Sequence, residues 1–81
     1  MEVTVLFFAA HRERVGQAST LVSLPDRATV GTLLSELRAR GGGWADLPSA
    51  PAVAVNRSYA HVGSELSDGD EVALIPPVAG G

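Results

Sequence analysis

The chain has no cysteine. Disulfides, thiolate metal sites and a cysteine nucleophile are therefore excluded. It has no lysine either, since all six basic residues are arginines: Arg12, Arg14, Arg27, Arg38, Arg40 and Arg57. Without an ε-amine it cannot form a Schiff base, supply a phosphate-loop lysine or offer a lysine for ligation. Basic charge is scarce overall, with a formal net charge of −3, so no nucleic-acid partner is expected. Long apolar runs are missing too. The opening "MEVTVLFFAAHRERV" has no basic leader, and its apolar stretch is far too short to span a bilayer. No membrane partner is expected, and a cysteine-free chain of this kind fits a reducing, cytoplasmic setting.

What is present fits one small domain. The 81 residues are enough for a single core, and 46% of them are hydrophobic. A domain of this size buries roughly 60–65% of the surface its unfolded chain exposes. "EVTVLFF" (2–8) is rich in β-branched and aromatic residues and reads as a strand. "AAHRERVGQ" (9–17) reads as a loop or a single short helical turn ending at Gly16. "STLVSL" (19–24) is a second strand, expected to form an antiparallel hairpin with the first. Val30, Leu33, Leu34 and Leu37 recur at i, i+3, i+4 and i+7, which marks one face of a helix. Thr29 is its cap and Gly41–Gly43 its stop. A loop follows over 42–51, then strands at "AVAVN" (52–56), "SYAHV" (58–62) and "EVALI" (71–75). "SDGD" (67–70) is the turn before the last strand, which Pro76 and Pro77 terminate.

This order, β-β-α-β-β-β, implies an α+β fold with one main helix across one face of a mixed sheet. If the first and last strands lie side by side and parallel, the arrangement is a β-grasp, as in ubiquitin. Strand alternation places Val3, Val5, Phe7, Val53, Val55, Val72 and Leu74 against the helix. The opposite face begins polar, with Glu2, Thr4 and Glu71. It continues as Leu6, Phe8, Ala73 and Ile75. Such a cluster is either covered by a loop or is a surface for docking a partner protein.

No side chain offers a convincing catalyst. His11 and His61 lack metal-ligand spacing and read as surface or loop residues. "GGG" at 41–43 is not followed by Lys-Ser/Thr, and no G-x-S-x-G elbow occurs. The acidic turn Asp68–Glu71 lacks the ligand pattern of a calcium loop. Trp44, alone beside glycines, reads as a packing anchor rather than a base-stacking platform. The remaining reactive group is the α-carboxylate of Gly81. Residues 1–77 are expected to form the domain and 78–81 a flexible Gly-Gly tail. Pro76 and Pro77 would aim that tail outward. Val78, Ala79, Gly80 and Gly81 are small enough to thread a narrow channel, and Gly81 places no side chain beside the carboxylate. A frayed, inert terminus is the plainer alternative.

"VLFFAAHRERVG", "TVGTLLSEL", "AVAVN" and "LSDGDEVALIPPVAGG" together span most of the chain. In this pattern the chain resembles the small subunits of molybdopterin synthase, within the MoaD/ThiS family of ubiquitin-like sulfur carriers. The resemblance implies a β-grasp fold and a reaction cycle at Gly81. A ubiquitin-activating-like enzyme would adenylate the carboxylate using ATP and magnesium, and a sulfur donor would convert it to a thiocarboxylate. The tail would then enter the large synthase subunit and deliver sulfur to precursor Z, forming the dithiolene of molybdopterin. Two small and two large subunits would form a heterotetramer. The catalytic groups would lie in the large subunit, and this chain itself would bind no cofactor. The resemblance places the tail glycines on Gly80 and Gly81 and partner-facing apolar positions on Phe8, Tyr59 and Ile75, with Leu6, Pro76 and Pro77 beside them. Ile75 stands where family members often carry an aromatic. Arg12 falls in the family's "RE" block and is a further partner contact, unless it pairs with Glu13 or Asp70. Two alternatives stay open: a sulfur carrier for thiamine or cysteine synthesis, and a β-grasp interaction module with an inert tail.

Overall fold

The computed structural model describes residues 1–77, so the tail expected over 78–81 lies outside the described residues. The elements run β1 (Glu2–Phe7), α1 (Ala9–Val15), β2 (Ser19–Ser23), α2 (Val30–Arg38), a 3-10 helix (Gly42–Asp46), β3 (Ala52–Val55), β4 (Ser58–Ala60) and β5 (Glu71–Ile75). The five strands form one sheet in the order β2-β1-β5-β3-β4. β1 and β5 pair in parallel at its centre, and the other pairings are antiparallel. This is the β-grasp topology, with α2 packed across one face.

Alternation sets the core as expected. Val3, Val5, Phe7, Val53, Val72 and Leu74 are buried on the face that meets Val30, Leu33, Leu34 and Leu37. Val55 is half-buried at the margin of this cluster. Thr29 closes a full capping box with Thr32. Its hydroxyl accepts from the Thr32 N–H at 3.2 Å, and its own N–H donates to the Thr32 hydroxyl.

Three elements differ from the sequence reading, one of them the 3-10 helix Gly42–Asp46 inside the expected loop over 42–51. Residues 9–15 are neither a loop nor a single turn but a seven-residue helix, α1, closed by Gly16 at φ 75°. Only two of its residues, His11 and Val15, are buried, so its apolar signature is too sparse for periodicity to detect. β1 and β2 do pair antiparallel, but α1 stands between them instead of a tight turn. In addition, α2 ends at Arg38, before the glycines. Gly43 has another role. A Cβ there would lie 1.7 Å from the Arg14 carbonyl oxygen, so only glycine lets the 3-10 helix press its backbone onto α1. Trp44 anchors that helix as expected, edge-on to Phe7 with ring centroids 5.4 Å apart and with the Arg40 guanidinium over its own ring.

Candidate functional site

The register of the sheet assembles the expected interface residues. Leu6 pairs with Ala73, Ala73 with Ala54, and Ala54 with Tyr59. Paired residues share a face, so these four form one row across β1, β5, β3 and β4 on the side away from α2. With strands about 4.8 Å apart, the row is about 14 Å long. A second row lies one pleat nearer the end of β5. There Ile75 pairs with Ala52, and Phe8, still extended at φ −126°, carries the alternation of β1 one residue further. Phe8 is 49% exposed and Tyr59 is 86% exposed. Leu6 and Ile75 are half-buried, and Pro76 and Pro77 continue directly from the second row. No loop among the described residues covers this face.

The polar end of the same face is organised differently. Thr4 pairs with Glu71 and with Leu21, so the row nearest the start of β5 carries hydroxyl and carboxylate groups. Beyond it Asn56 clips the β3–β4 turn to β5. Its side chain donates to the Asp70 carboxylate at 2.9 Å and accepts from the Glu71 N–H at 3.0 Å. Asn56 and Arg57 both have positive φ, as a two-residue primed hairpin turn requires. This gives the "VN" of the sequence a structural cause. Asp70 also accepts from the Ser67 N–H, so its carboxylate serves this turn rather than Arg12. Arg12 itself is exposed on α1, one turn from Phe8.

Ala52, Ala54 and Leu21 belong to the open face, and the sequence reading missed them. The signal for Ala52 and Ala54 was present: each alternates with Val53 or Val55 and so must point away from α2. Leu21, 60% exposed, sits at the polar end opposite Thr4. Ala9, at the junction of β1 and α1, has φ 45°. A non-glycine residue held there is strained, and the strain lies next to Phe8.

One expectation is corrected. His11 is not a surface or loop residue but is 2% exposed. Neither ring nitrogen has a hydrogen-bond partner among the described residues. Burial is the main cause holding its pKa below 6.5, and the nearby Arg14 charge adds to the effect. The Ile75 carbonyl works weakly in the other direction without completing a hydrogen bond. His11 lines a groove of about 460 Å³ between α1, the 3-10 helix and the end of β5, together with Arg14, Asp46, Ala50 and Pro77. His61, by contrast, is exposed as expected, its Nδ1 accepting from the Gly63 N–H at 3.0 Å. No helix among the described residues is long and apolar enough to cross a membrane.

Comparison with known proteins gives this geometry a family. Residues 5–81 match the ThiS family. The human molybdopterin synthase sulfur carrier subunit is 36% identical, over 99% of this chain and 94% of its own length. Small archaeal modifier protein 3 of Haloferax volcanii is 41% identical over the whole of both chains. Among solved structures, SAMP1 of Haloferax volcanii superposes with a TM-score of 0.78 at 31% identity, covering both chains fully. A chain from the complex of subunits 1 and 2 of the molybdopterin-converting factor of Helicobacter pylori superposes with a TM-score of 0.72 at 26% identity, again over both chains. A β-grasp domain that matches the family model over residues 5–81 and is related to these proteins along its whole length belongs to the ThiS family of MoaD/ThiS ubiquitin-like sulfur carriers.

Proposed function

We propose that this chain is the sulfur-carrying small subunit of a molybdopterin synthase and that Gly81 is its reacting residue. The observation that carries the reading is the sheet register: it brings Leu6, Tyr59 and Ile75 to one face, and Pro76 and Pro77 follow Ile75 in the chain ahead of Gly81. The kinship with sulfur carrier subunits supports it. A Gly81 carboxylate oxygen attacks the α-phosphate of ATP on an activating enzyme, and pyrophosphate leaves with its magnesium. Hydrosulfide, or a donor that supplies it, attacks the acyl carbon and displaces AMP, leaving a thiocarboxylate and releasing a proton. Adenylation is needed because a carboxylate oxygen is otherwise a poor leaving group. In the large subunit the thiocarboxylate sulfur attacks a carbon of precursor Z and displaces an oxygen leaving group, giving an acyl thioester. Water then cleaves its acyl–sulfur bond, which returns the Gly81 carboxylate, leaves the sulfur on the pterin and releases a proton. The chain contributes the arm, the docking face and no catalytic base. Leu6, Phe8, Tyr59, Ile75, Pro76 and Pro77 form the contact surface, with Arg12 at its edge.

The test is intact mass after incubation with the activating enzyme, ATP, magnesium and a sulfur source. A gain equal to one oxygen replaced by one sulfur is expected, and it should vanish when Gly81 is deleted. An unchanged mass would refute the reading. A second reading follows from the relative named as a modifier protein. In it, the activated Gly81 is attacked by a lysine of another protein, giving an isopeptide. Covalent adducts with target proteins in place of the thiocarboxylate would favour that outcome.

A further inference from the structure

The groove beside the end of β5 holds a feature that ordinary packing does not explain. Its volume of about 460 Å³ lies in the range of ligand-sized clefts. Ala10, Pro48, Ala50 and Pro51 make most of its wall apolar. His11, 2% exposed and lining this groove, has no partner on either ring nitrogen among the described residues. Buried polar groups are normally satisfied, but here the Ile75 carbonyl acts on the imidazole without completing a hydrogen bond, so the ring lacks a full acceptor. The charged groups around it are Arg14 from α1 and Asp46 from the 3-10 helix, while β5 contributes the Ile75 carbonyl.

We propose that this groove receives an apolar segment bearing one carboxylate, supplied by the protein that takes up the tail. The inference rests on the carrier reading above. Pro77 lines the groove, and residues 78–81 follow it in the chain, so a protein that engulfs that tail closes over the groove as well. Ile75 and Ala52 belong both to the groove and to the second apolar row, so one partner surface covers both. The apolar walls disfavour a hydrated polar segment. The unpaired imidazole donor and the Arg14 guanidinium favour an anionic acceptor. Asp46 on the rim disfavours a second acidic group. A carboxylate seated against His11 favours the imidazolium, so association takes up a proton.

The experiment is calorimetric titration of the full chain with the large synthase subunit of the same organism, at pH 8 and pH 6. The wild type should bind more tightly at pH 6. His11→Phe removes the donor and should lose this pH dependence, binding about tenfold more weakly at pH 6. Ala50→Trp fills the groove from an exposed loop position, with little risk to the fold, and should weaken binding about tenfold at both pH values. Its result stands even if His11→Phe fails to fold. Wild-type affinity in Ala50→Trp overturns the proposal. So does wild-type affinity in a folded His11→Phe chain at both pH values, because the groove then supplies contact without recognising an acceptor. A wild-type chain that does not bind the large subunit at all overturns the carrier-subunit reading itself, and the groove's role falls with it.

Discussion

The two faces of the sheet are built from the same strands by the same alternation, yet they differ in what completes them. The inner face is closed within the chain: Val5, Val30, Leu33, Leu37, Val72 and Leu74 are all fully buried. The outer face is polar where β5 begins, at Thr4 and Glu71, and apolar where β5 ends, at Ala73 and Ile75. The same register that builds the core therefore concentrates apolar surface at one end, where β5 runs on to Pro76 and Pro77, with Leu21 the exception at the other. Folding needs the inner rows. The core cluster includes neither Phe8 nor Tyr59, and both are exposed, the pattern expected of an interaction surface.

This contrast can be broken most strongly from the inside. Leu33→Ala should destabilise the domain by about 2–5 kcal/mol, because it leaves a cavity under α2. Tyr59→Ala, on the outer face, should stay within about 0.5 kcal/mol of wild type. Urea denaturation of both variants checks the pair, and equal losses would erase the distinction between the faces. Gly43→Ala should follow with a loss of about 1–3 kcal/mol, because its Cβ collides with the Arg14 backbone and forces the 3-10 helix off α1. The signature of this change is a lower denaturation midpoint with α2 still protected in hydrogen exchange.

His11 gives the most specific effect on stability, because it depends on pH. Its folded pKa lies below the unfolded value of 6.5, so the unfolded chain binds the extra proton first. Its contribution to stability is complete above pH 6.5, declines as the pH falls below that value, and levels off below the depressed folded pKa. Thermal denaturation of wild type and His11→Phe across this range should converge in slope above pH 6.5 and diverge below it. Parallel profiles would show that the buried imidazole is not the titrating group.

The fold was legible where a period was strong. Alternation in β1, β3 and β5 and the Val30–Leu37 spacing gave the sheet, the main helix and the faces. The same alternation put Leu6, Phe8, Tyr59 and Ile75 within reach of one surface, although the pairing of Ala54 with Tyr59 required the register. α1 was not legible, because a short helix buried at only two positions has no full apolar stripe. His11 was missed for a different reason: its burial comes from segments of α1, the 3-10 helix and the end of β5, which meet only in three dimensions. The role of Gly43 also depends on a backbone contact across 29 residues of sequence, between Arg14 and Gly43, which no local pattern encodes.

The central claim is that the outer face docks a partner and takes no part in holding the fold. The most direct measurement is the affinity of Phe8→Asp for the large synthase subunit, with its denaturation midpoint taken on the same sample. A charged group on this exposed apolar position should weaken binding by at least about tenfold while leaving the midpoint unchanged. Wild-type affinity, or a loss of binding that merely follows a loss of folding, would contradict it.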